Sequence, residues 1–316
     1  MSAPVIRTTV TRRTLELAGL PVPLVELSGS GDGPLLTVIA GVHGCEYASI
    51  AAVRRWLRET GRRELRGRVR AVPVLNVSAF AARAPFVVPE DGKNLNRCFP
   101  GSRDGTLADR LAFDAFRLLI AGSDAVVDAH CGDLVEALYP FALYDAGPAQ
   151  EQARALALSY GLPYVLRQEP GPDRAVAGST SAAAAEAGIP AIIAEAGGCG
   201  LVDEEAVRLH VAGLNGVLGV LGMADSSRPP RPAPPEILDR SVWLHSGAAG
   251  WWEPSVRPGD RVRAGQPLGT IGSLDGAEVL ATITAPAGGL IMFLTSSPAV
   301  ADGGLLLGLG VIEPAS

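Results

Sequence analysis

LLTVIAGVHGCEYASIAAVRRWLRET, residues 35–60, decides how the rest of the chain is read. Its first six residues form an apolar run that halts at Gly41, which reads as a buried strand entering a tight turn. From 46 to 60 the apolar residues recur at helical spacing and the charges gather toward the end. Strand, glycine turn and helix in this order are the repeating unit of an α/β sheet.

The same alternation continues downstream. VRAVPVLNV (69–77) reads as a second strand, weakened by Pro73. Residues 78–103 read as loop, rich in Pro, Gly and Asn, and 106–121 as a helix with Thr106 as N-cap and Gly122 as its stop. DAVVDAH (124–130) reads as a short strand ending in polar residues, and 149–160 as a helix stopped by Gly161 and Pro163. A helix over 179–187, the strand PAIIAEAGG (190–198) and a helix over 203–222 follow. The expected fold is therefore α/β, a mostly parallel sheet with helices on both faces. SSRPPRPAPPE (226–236) reads as a proline-rich linker. Beyond it, short β-type runs broken by Gly, Pro and Asp, as in EPSVRPGDRVRAGQPLGTI (253–271), predict a small all-β domain. The division expected is 1–225, 226–236 and 237–316.

Composition narrows the function. With 47% hydrophobic residues in 316, a sizeable core can be buried. A net charge of −6 and a pI near 5.3 argue against a nucleic-acid binder and against an anionic membrane surface as partner. No signal-like segment or apolar span is long enough to target or anchor the chain, so a cytoplasmic protein is expected. Cys45, Cys98, Cys131 and Cys199 form no C-x-x-C pair and read as reduced thiols. The apolar helix 203–222 and the β-domain each offer a surface on which a homo-oligomer could form.

Four constellations carry candidate chemistry. His43 and Glu46 lie across the turn after the first strand, where open α/β sheets bind ligands. His130, at the end of another strand, supplies a third ligand. Two imidazoles and a carboxylate suit zinc and leave a position open for water. Asp128 shares a strand face with His130 and reads either as a partner that orients a ligand or as a structural residue. DGKNLNRCFPG (91–101) concentrates the amides of Asn94 and Asn96 and the guanidinium of Arg97, which suits an anionic substrate. Glu195, ending the strand AIIAE, stands where a carboxylate can move a proton between water and a leaving amine. His210 and His245 read as structural.

In order, H-x-x-E, N-L-N-R-x-F-P-G, D-x-H and E-A-G-G resemble the aspartoacylase and succinylglutamate desuccinylase family, whose catalytic domain is similar to zinc carboxypeptidases. The resemblance covers roughly 35–222, and GWWEPSVRPGDRVRAGQPLG extends it into the β-domain. It implies one zinc per chain on His43, Glu46 and His130. It implies a substrate-carboxylate clamp at Asn96 and Arg97, a general base and acid at Glu195, and a carbonyl-polarising arginine for which Arg83 is the nearest candidate. The activity implied is hydrolysis of a small, anionic N-acyl amino acid, with zinc lowering the pKa of its water.

Two other readings use the same residues: a metallocarboxypeptidase acting on peptide C-termini, and a non-catalytic metal-binding protein of the same fold. A third takes VRPGDRVRAGQPLG as a biotinyl or lipoyl carrier motif, but carriers need a lysine to modify and Lys93 is the only lysine in the chain.

Overall fold

The computed structural model describes residues 8–169, 177–225 and 234–312. Ten strands are drawn from the first three-quarters of the chain: β1 (Thr9–Leu17), β2 (Leu20–Ser28), β3 (Ser30–Ala40), β4 (Arg66–Val72), β5 (Ala125–His130), β6 (Glu136–Leu138), β7 (Phe141–Asp145), β8 (Tyr164–Gln168), β9 (Ala191–Glu195) and β10 (Glu236–Leu238). All but β6 join one sheet in the order β1-β2-β4-β3-β5-β9-β7-β8-β10. β4, β3, β5 and β9 run parallel. β7, β8 and β10 are parallel to one another, and β7 is antiparallel to β9. The sheet is thus two parallel blocks of opposite direction rather than one continuous parallel run.

The β1–β2 hairpin was not foreseen. Ala18 and Gly19 both take positive φ (51° and 82°), the turn geometry that joins two twisted strands through two residues. β4 ends at Val72 because Pro73 has no N–H to give the ladder. The region 78–103 is not all loop. Asn76 caps a short helix, α2 (Val77–Ala82), by accepting from the Ala79 amide at 3.0 Å, and Leu95–Arg97 form one 3-10 turn. The Pro-rich run lies mostly outside the described residues, but Glu236, expected to close the linker, opens β10 and pairs with Tyr164 of β8.

The helices expected from periodicity are α1 (Tyr47–Thr60), α3 (Leu107–Ala115), α4 (Gln150–Tyr160), α5 (Thr180–Glu186) and α6 (Glu204–Val220). Thr106 is the N-cap of α3, as the sequence suggested, and forms a capping box with Asp109; the helix's last turn, Phe116–Ile120, widens to a π-helix. Strand periodicity sorts the core onto two faces. Leu36, Val38 and Ala40 of β3 with Val127 of β5 pack against α1, α4 and α6 around Trp56. Ile39 and Val126 point the other way, into a second core with α3 and α5. Fully burying each such side chain contributes about 1.5–3 kcal/mol.

The C-terminal part holds β11 (Ser241–His245), β12 (Gly250–Pro254), β13 (Arg261–Val262), β14 (Pro267–Gly272), β15 (Val279–Thr284), β16 (Gly289–Thr295), β17 (Ala299–Val300) and β18 (Leu305–Val311). They form two antiparallel sheets, β11-β18-β16-β13 and β15-β14-β12-β17, with Trp252, Leu268, Ile271, Leu306 and Leu309 between them. The first sheet also takes β6 as a partner of β16. Its outer face packs over β7, β8 and β9: Met292 and Phe293 meet Phe141, Leu143, Leu166 and Ile193.

Candidate active site

β3, β5 and β9 are neighbours with their carboxyl ends level: Ala40 pairs with Ala129, and His130 with Glu195. Ligands bind at this edge of such sheets. After β3 the chain must turn at once, and Gly41 does so at φ +63°. Gly44 lets the turn lie against α2, since a Cβ there would stand 2.2 Å from the Phe80 nitrogen. The turn leaves Glu46 at the N-cap of α1, yet its carboxylate makes no cap bond. It reaches into the site instead. Oε1 lies 2.6 Å from His43 Nδ1, Oε2 lies 2.9 Å from His130 Nδ1, and Oε2 also accepts from the Cys131 amide at 3.1 Å.

Each far ring nitrogen faces an oxygen, His43 Nε2 in a hydrogen bond and His130 Nε2 at ion-pair distance without hydrogen-bond geometry. His43 Nε2 donates to Asn94 Oδ1 at 3.0 Å, and His130 Nε2 stands 2.9 Å from Asp128 Oδ2. Such partners turn the Nδ1 atoms inward. Ligand atoms of His43, Glu46 and His130 all lie within 4.8 Å of one another, and all three residues are buried. Each Nδ1 facing that carboxylate needs a proton or a cation between them. Burial alone would raise the Glu46 carboxyl, but His130 and His43 hold it well below the usual carboxylate range. Burial disfavours a charged His130, yet Asp128 and Glu46 outweigh it and raise its pKa.

Glu195 ends β9 with Oε2 buried and unpaired. Burial, reinforced by Glu46, Glu136 and Asp128, raises its carboxyl well above the usual range despite the opposing His130. Glu136 lines the same cavity, and burial and Glu46 push it up to about 7. Sequence reasoning missed Glu136: it lies in a stretch given no element, and its pairing with Thr295 of β16 and its backbone bonds to Asp133 and Cys199 fix it beside the site. Asp133 was missed too. It accepts from the Phe86 amide at 2.8 Å and holds that residue at φ +61°, with the ring edge-on to His43.

The motif loop supplies the opposite wall. Asn94 Oδ1 also accepts from the Asn96 amide at 2.8 Å. Asn96 Oδ1 accepts from the Thr180 amide at 3.0 Å, which ties the loop to α5, and Thr180 Oγ1 donates to Asp128. Arg97 Nη1 donates to the Asn96 carbonyl, and among the described residues no carboxylate forms an ion pair with its guanidinium. The loop is cross-tied at its base: Lys93 Nζ lies 2.6 Å from Asp109 Oδ2, which also accepts from the Thr106 amide, and Asp91 accepts from the Ala108 amide. Asp109 is held at about 2, first by Lys93 and then by Thr106. Its contribution is therefore present above the unfolded pKa of about 3.9 and is lost as pH falls toward 2. Lys93→Met is expected to lower stability only slightly at pH 7, because the pair is exposed to solvent. Urea unfolding at pH 7 and at pH 2 checks this, and the difference from wild type should shrink at the lower pH.

Seven of the eight expected site residues, His43, Glu46, Asn94, Asn96, Arg97, His130 and Glu195, line one cavity of about 320 Å³. Arg83 does not. It is exposed at the C-cap of α2, at φ +55°. His210 lies behind the site, accepting from Tyr160 Oη at 2.7 Å and donating to the Ala196 carbonyl at 3.2 Å. Burial lowers its pKa to about 4, so it is neutral and braces the end of β9.

Residues 32–221 match the succinylglutamate desuccinylase/aspartoacylase catalytic domain. The chain belongs to that family. It is 30% identical over 259 residues to the N-alpha-acetyl-L-2,4-diaminobutyric acid deacetylase of Halomonas elongata, covering 80% of this chain and 73% of the relative. Its fold matches the product-bound ectoine utilization protein EutE (DoeB) of Ruegeria pomeroyi with a TM-score of 0.86 at 25% identity, over 98% of both chains. A succinylglutamate desuccinylase from a Silicibacter species gives 0.83 at 25% identity, over 99% of this chain and 100% of that one. The similarity thus runs through the C-terminal sheets, as the resemblance of residues 250–269 implied. Among the described residues no helix is long and apolar enough to cross a membrane.

Proposed function

We propose that this family member is a zinc-dependent hydrolase that cleaves the amide of a small N-acyl amino acid. One observation carries the reading: three converging ligand atoms share a cavity with a buried carboxylate oxygen of Glu195 that has no partner and with the guanidinium of Arg97, which among the described residues forms no ion pair. The residues fit a divalent ion. Two Nδ1 atoms and a carboxylate aimed at one point are an N₂O donor set with room for a further ligand. Zinc bound there supplies Lewis-acid polarisation of a carbonyl and acidifies water toward neutral pH.

The side chains do the rest. Arg97 grips the substrate carboxylate, with Asn96 on the same wall, and so fixes the amide against the metal ligands. Glu195 takes a proton from water as it attacks and passes it to the departing amine nitrogen. Its surroundings favour the protonated form that the second transfer needs. Asn94 and Asp128 hold the two imidazoles in the orientation the metal requires. Arg83, expected to polarise the carbonyl, lies outside the cavity lining and is given no step. The roof of Trp243, Met292 and Phe293 supports a small substrate over a peptide, which favours deacylase over carboxypeptidase.

Elemental analysis of purified protein should find one zinc per chain. Chelation should abolish hydrolysis of N-acyl amino acids and zinc should restore it. Absence of bound metal after reconstitution would sink the reading, and faster cleavage of N-acylated dipeptides would favour the carboxypeptidase. Arg97→Met should raise KM by about 10–100-fold, the loss of a charge-assisted carboxylate contact worth about 1.5–3 kcal/mol. Steady-state kinetics separate that from an effect on kcat.

A further inference from the structure

The metal-ligand residues divide the cavity into two unlike ends. To one side of β5 lie β9, β7 and β8, and the C-terminal sheet covers that longer end. On the other side β3 delivers His43 and Glu46, and Phe86 and Asn94 complete the lining. Among the described residues that line the cavity before His130, Phe86 is the one apolar side chain.

The fold goes to some length to place it. Its backbone stands at φ +61°, a conformation that side chains with a Cβ rarely adopt and that is held only where the surroundings dictate it. The Phe86 amide donates to Asp133 Oδ2 at 2.8 Å, and Asp133 Oδ1 accepts from the Leu134 amide at 2.6 Å. Asp133 is fully buried, where a carboxylate is tolerated only with its hydrogen bonds made. It sits three residues past His130, so the loop that leaves one metal-ligand residue also fixes Phe86. The ring ends edge-on to His43, with centroids 5.9 Å apart. A substrate group seated beside His43 on this side meets that ring.

The path of the motif loop tells which half of the substrate comes here. The loop starts at the Phe86 end: Asn94 bridges to Val87, and its Oδ1 accepts from His43 Nε2 at 3.0 Å. It then runs toward the other end. Asn96 Oδ1 accepts from the Thr180 amide at 3.0 Å, and the Phe99 amide donates to the Gly178 carbonyl at 2.8 Å. Thr180 opens α5, which packs on β5, β9 and β7. Arg97 Nη1 donates to the Asn96 carbonyl at 2.8 Å, so the guanidinium stays over Asn96 and does not fold back to His43. A carboxylate held by Arg97 and Asn96 therefore lies away from Phe86. In an N-acyl amino acid the carboxylate and the acyl group flank the amide. With the scissile carbonyl at the metal-ligand residues, the acyl group points to Phe86.

Resting on the deacylase reading, we propose that Phe86 is the specificity-determining wall of the acyl subsite, where its ring admits an acetyl group and excludes butyryl and longer chains. A succinyl group is excluded as well, because it would bring a second carboxylate against the ring.

The test uses the full-length, zinc-loaded protein. Its substrates are Nα-acyl derivatives of glycine, L-aspartate, L-2,4-diaminobutyrate and L-phenylalanine, each carrying acetyl, butyryl, hexanoyl or succinyl. On the amino acid turned over best, wild-type kcat/KM should fall by about 10-fold or more from acetyl to butyryl, since one methylene at an apolar wall is worth about 10–200-fold. Phe86→Gly removes the ring and suits φ +61°, so the backbone keeps its conformation. It should raise the ratio of hexanoyl to acetyl turnover by about 100-fold or more, with zinc content unchanged. The wild-type profile needs no variant that folds: hexanoyl or succinyl outrunning acetyl overturns the assignment. An acyl ratio that Phe86→Gly leaves unchanged overturns it too, and so does an effect that falls instead on the choice of amino acid. Both leave the deacylase reading standing. No turnover of any member of the panel removes the deacylase reading and the acyl subsite with it.

Discussion

Glu195→Gln is expected to lower kcat by about 10²–10⁴-fold, the usual worth of a general acid–base group, with zinc content unchanged. The amide keeps the shape of the carboxyl at the end of β9 and loses only the proton traffic. The stability change has the opposite sign. Burial raises the Glu195 carboxyl well above its ordinary value. A carboxyl whose folded pKa exceeds its unfolded one destabilises the fold as pH rises from the lower value toward the higher. In metal-free protein at pH 7 a neutral glutamine removes that burden, so the melting temperature should hold or rise. Slower turnover with no loss of stability marks a residue kept for chemistry. Circular-dichroism melts and steady-state rates on the same preparation check both halves. A fall in rate matched by loss of zinc would instead make Glu195 part of the metal's hold.

His130→Ala should cost more than activity. The variant loses a donor atom, so zinc affinity should fall by more than the roughly 10–100-fold typical of losing an outer partner. Asp128→Asn, which changes only such a partner, should fall within that smaller range. The metal-free protein should suffer as well. His130 sits between Glu46 Oε2 and Asp128 Oδ2, each 2.9 Å away, and all three are buried. Removing the imidazole takes from both carboxylates the cation they share, leaving Glu46 with His43 and the Cys131 amide and Asp128 with the Thr180 hydroxyl; breaking a buried pair from one side costs up to about 3–5 kcal/mol. Urea denaturation of the chelated proteins reads this, and elemental analysis of the zinc-loaded ones reads the affinity. Unchanged zinc in His130→Ala would remove His130 from the ligand set.

Much of the site is legible in sequence because short-range rules place it. Glycine after an apolar run forces a turn, and His43 and Glu46 are three residues apart across it. His130 and Glu195 each end a strand that periodicity finds. What escaped depends on pairing between distant segments. Phe141–Asp145 is buried on both faces, Ala142 and Tyr144 toward α4 and Phe141 and Leu143 toward the C-terminal sheet, so alternating spacing does not mark it. Its reversal against β9 follows from where the chain re-enters the sheet, which no local propensity encodes. Glu136 gives no signal in DLVEALYP, since its place is set by β16. Arg83 was put forward by its proximity along the chain to the N-x-N-R motif and because the resemblance calls for such an arginine; it stands exposed at the α2 cap, φ +55°, outside the cavity lining.

The partnership of β6 with β16 has a consequence for the order in which the protein is made. Leu138 faces Phe293 and Glu136 faces Thr295 across that ladder, and β18 then closes on β16. Ribosomes deliver the N-terminal side first, and distant pairings form last because they must close long loops. Every residue given a part in catalysis is translated by Glu195, yet the wall carrying Glu136 and the roof of Trp243 and Phe293 wait for Gly289–Thr295 and Leu305–Val311. In a nascent chain His43, Glu46 and His130 therefore stand at an open sheet edge, and the cavity is roofed only when those strands have emerged.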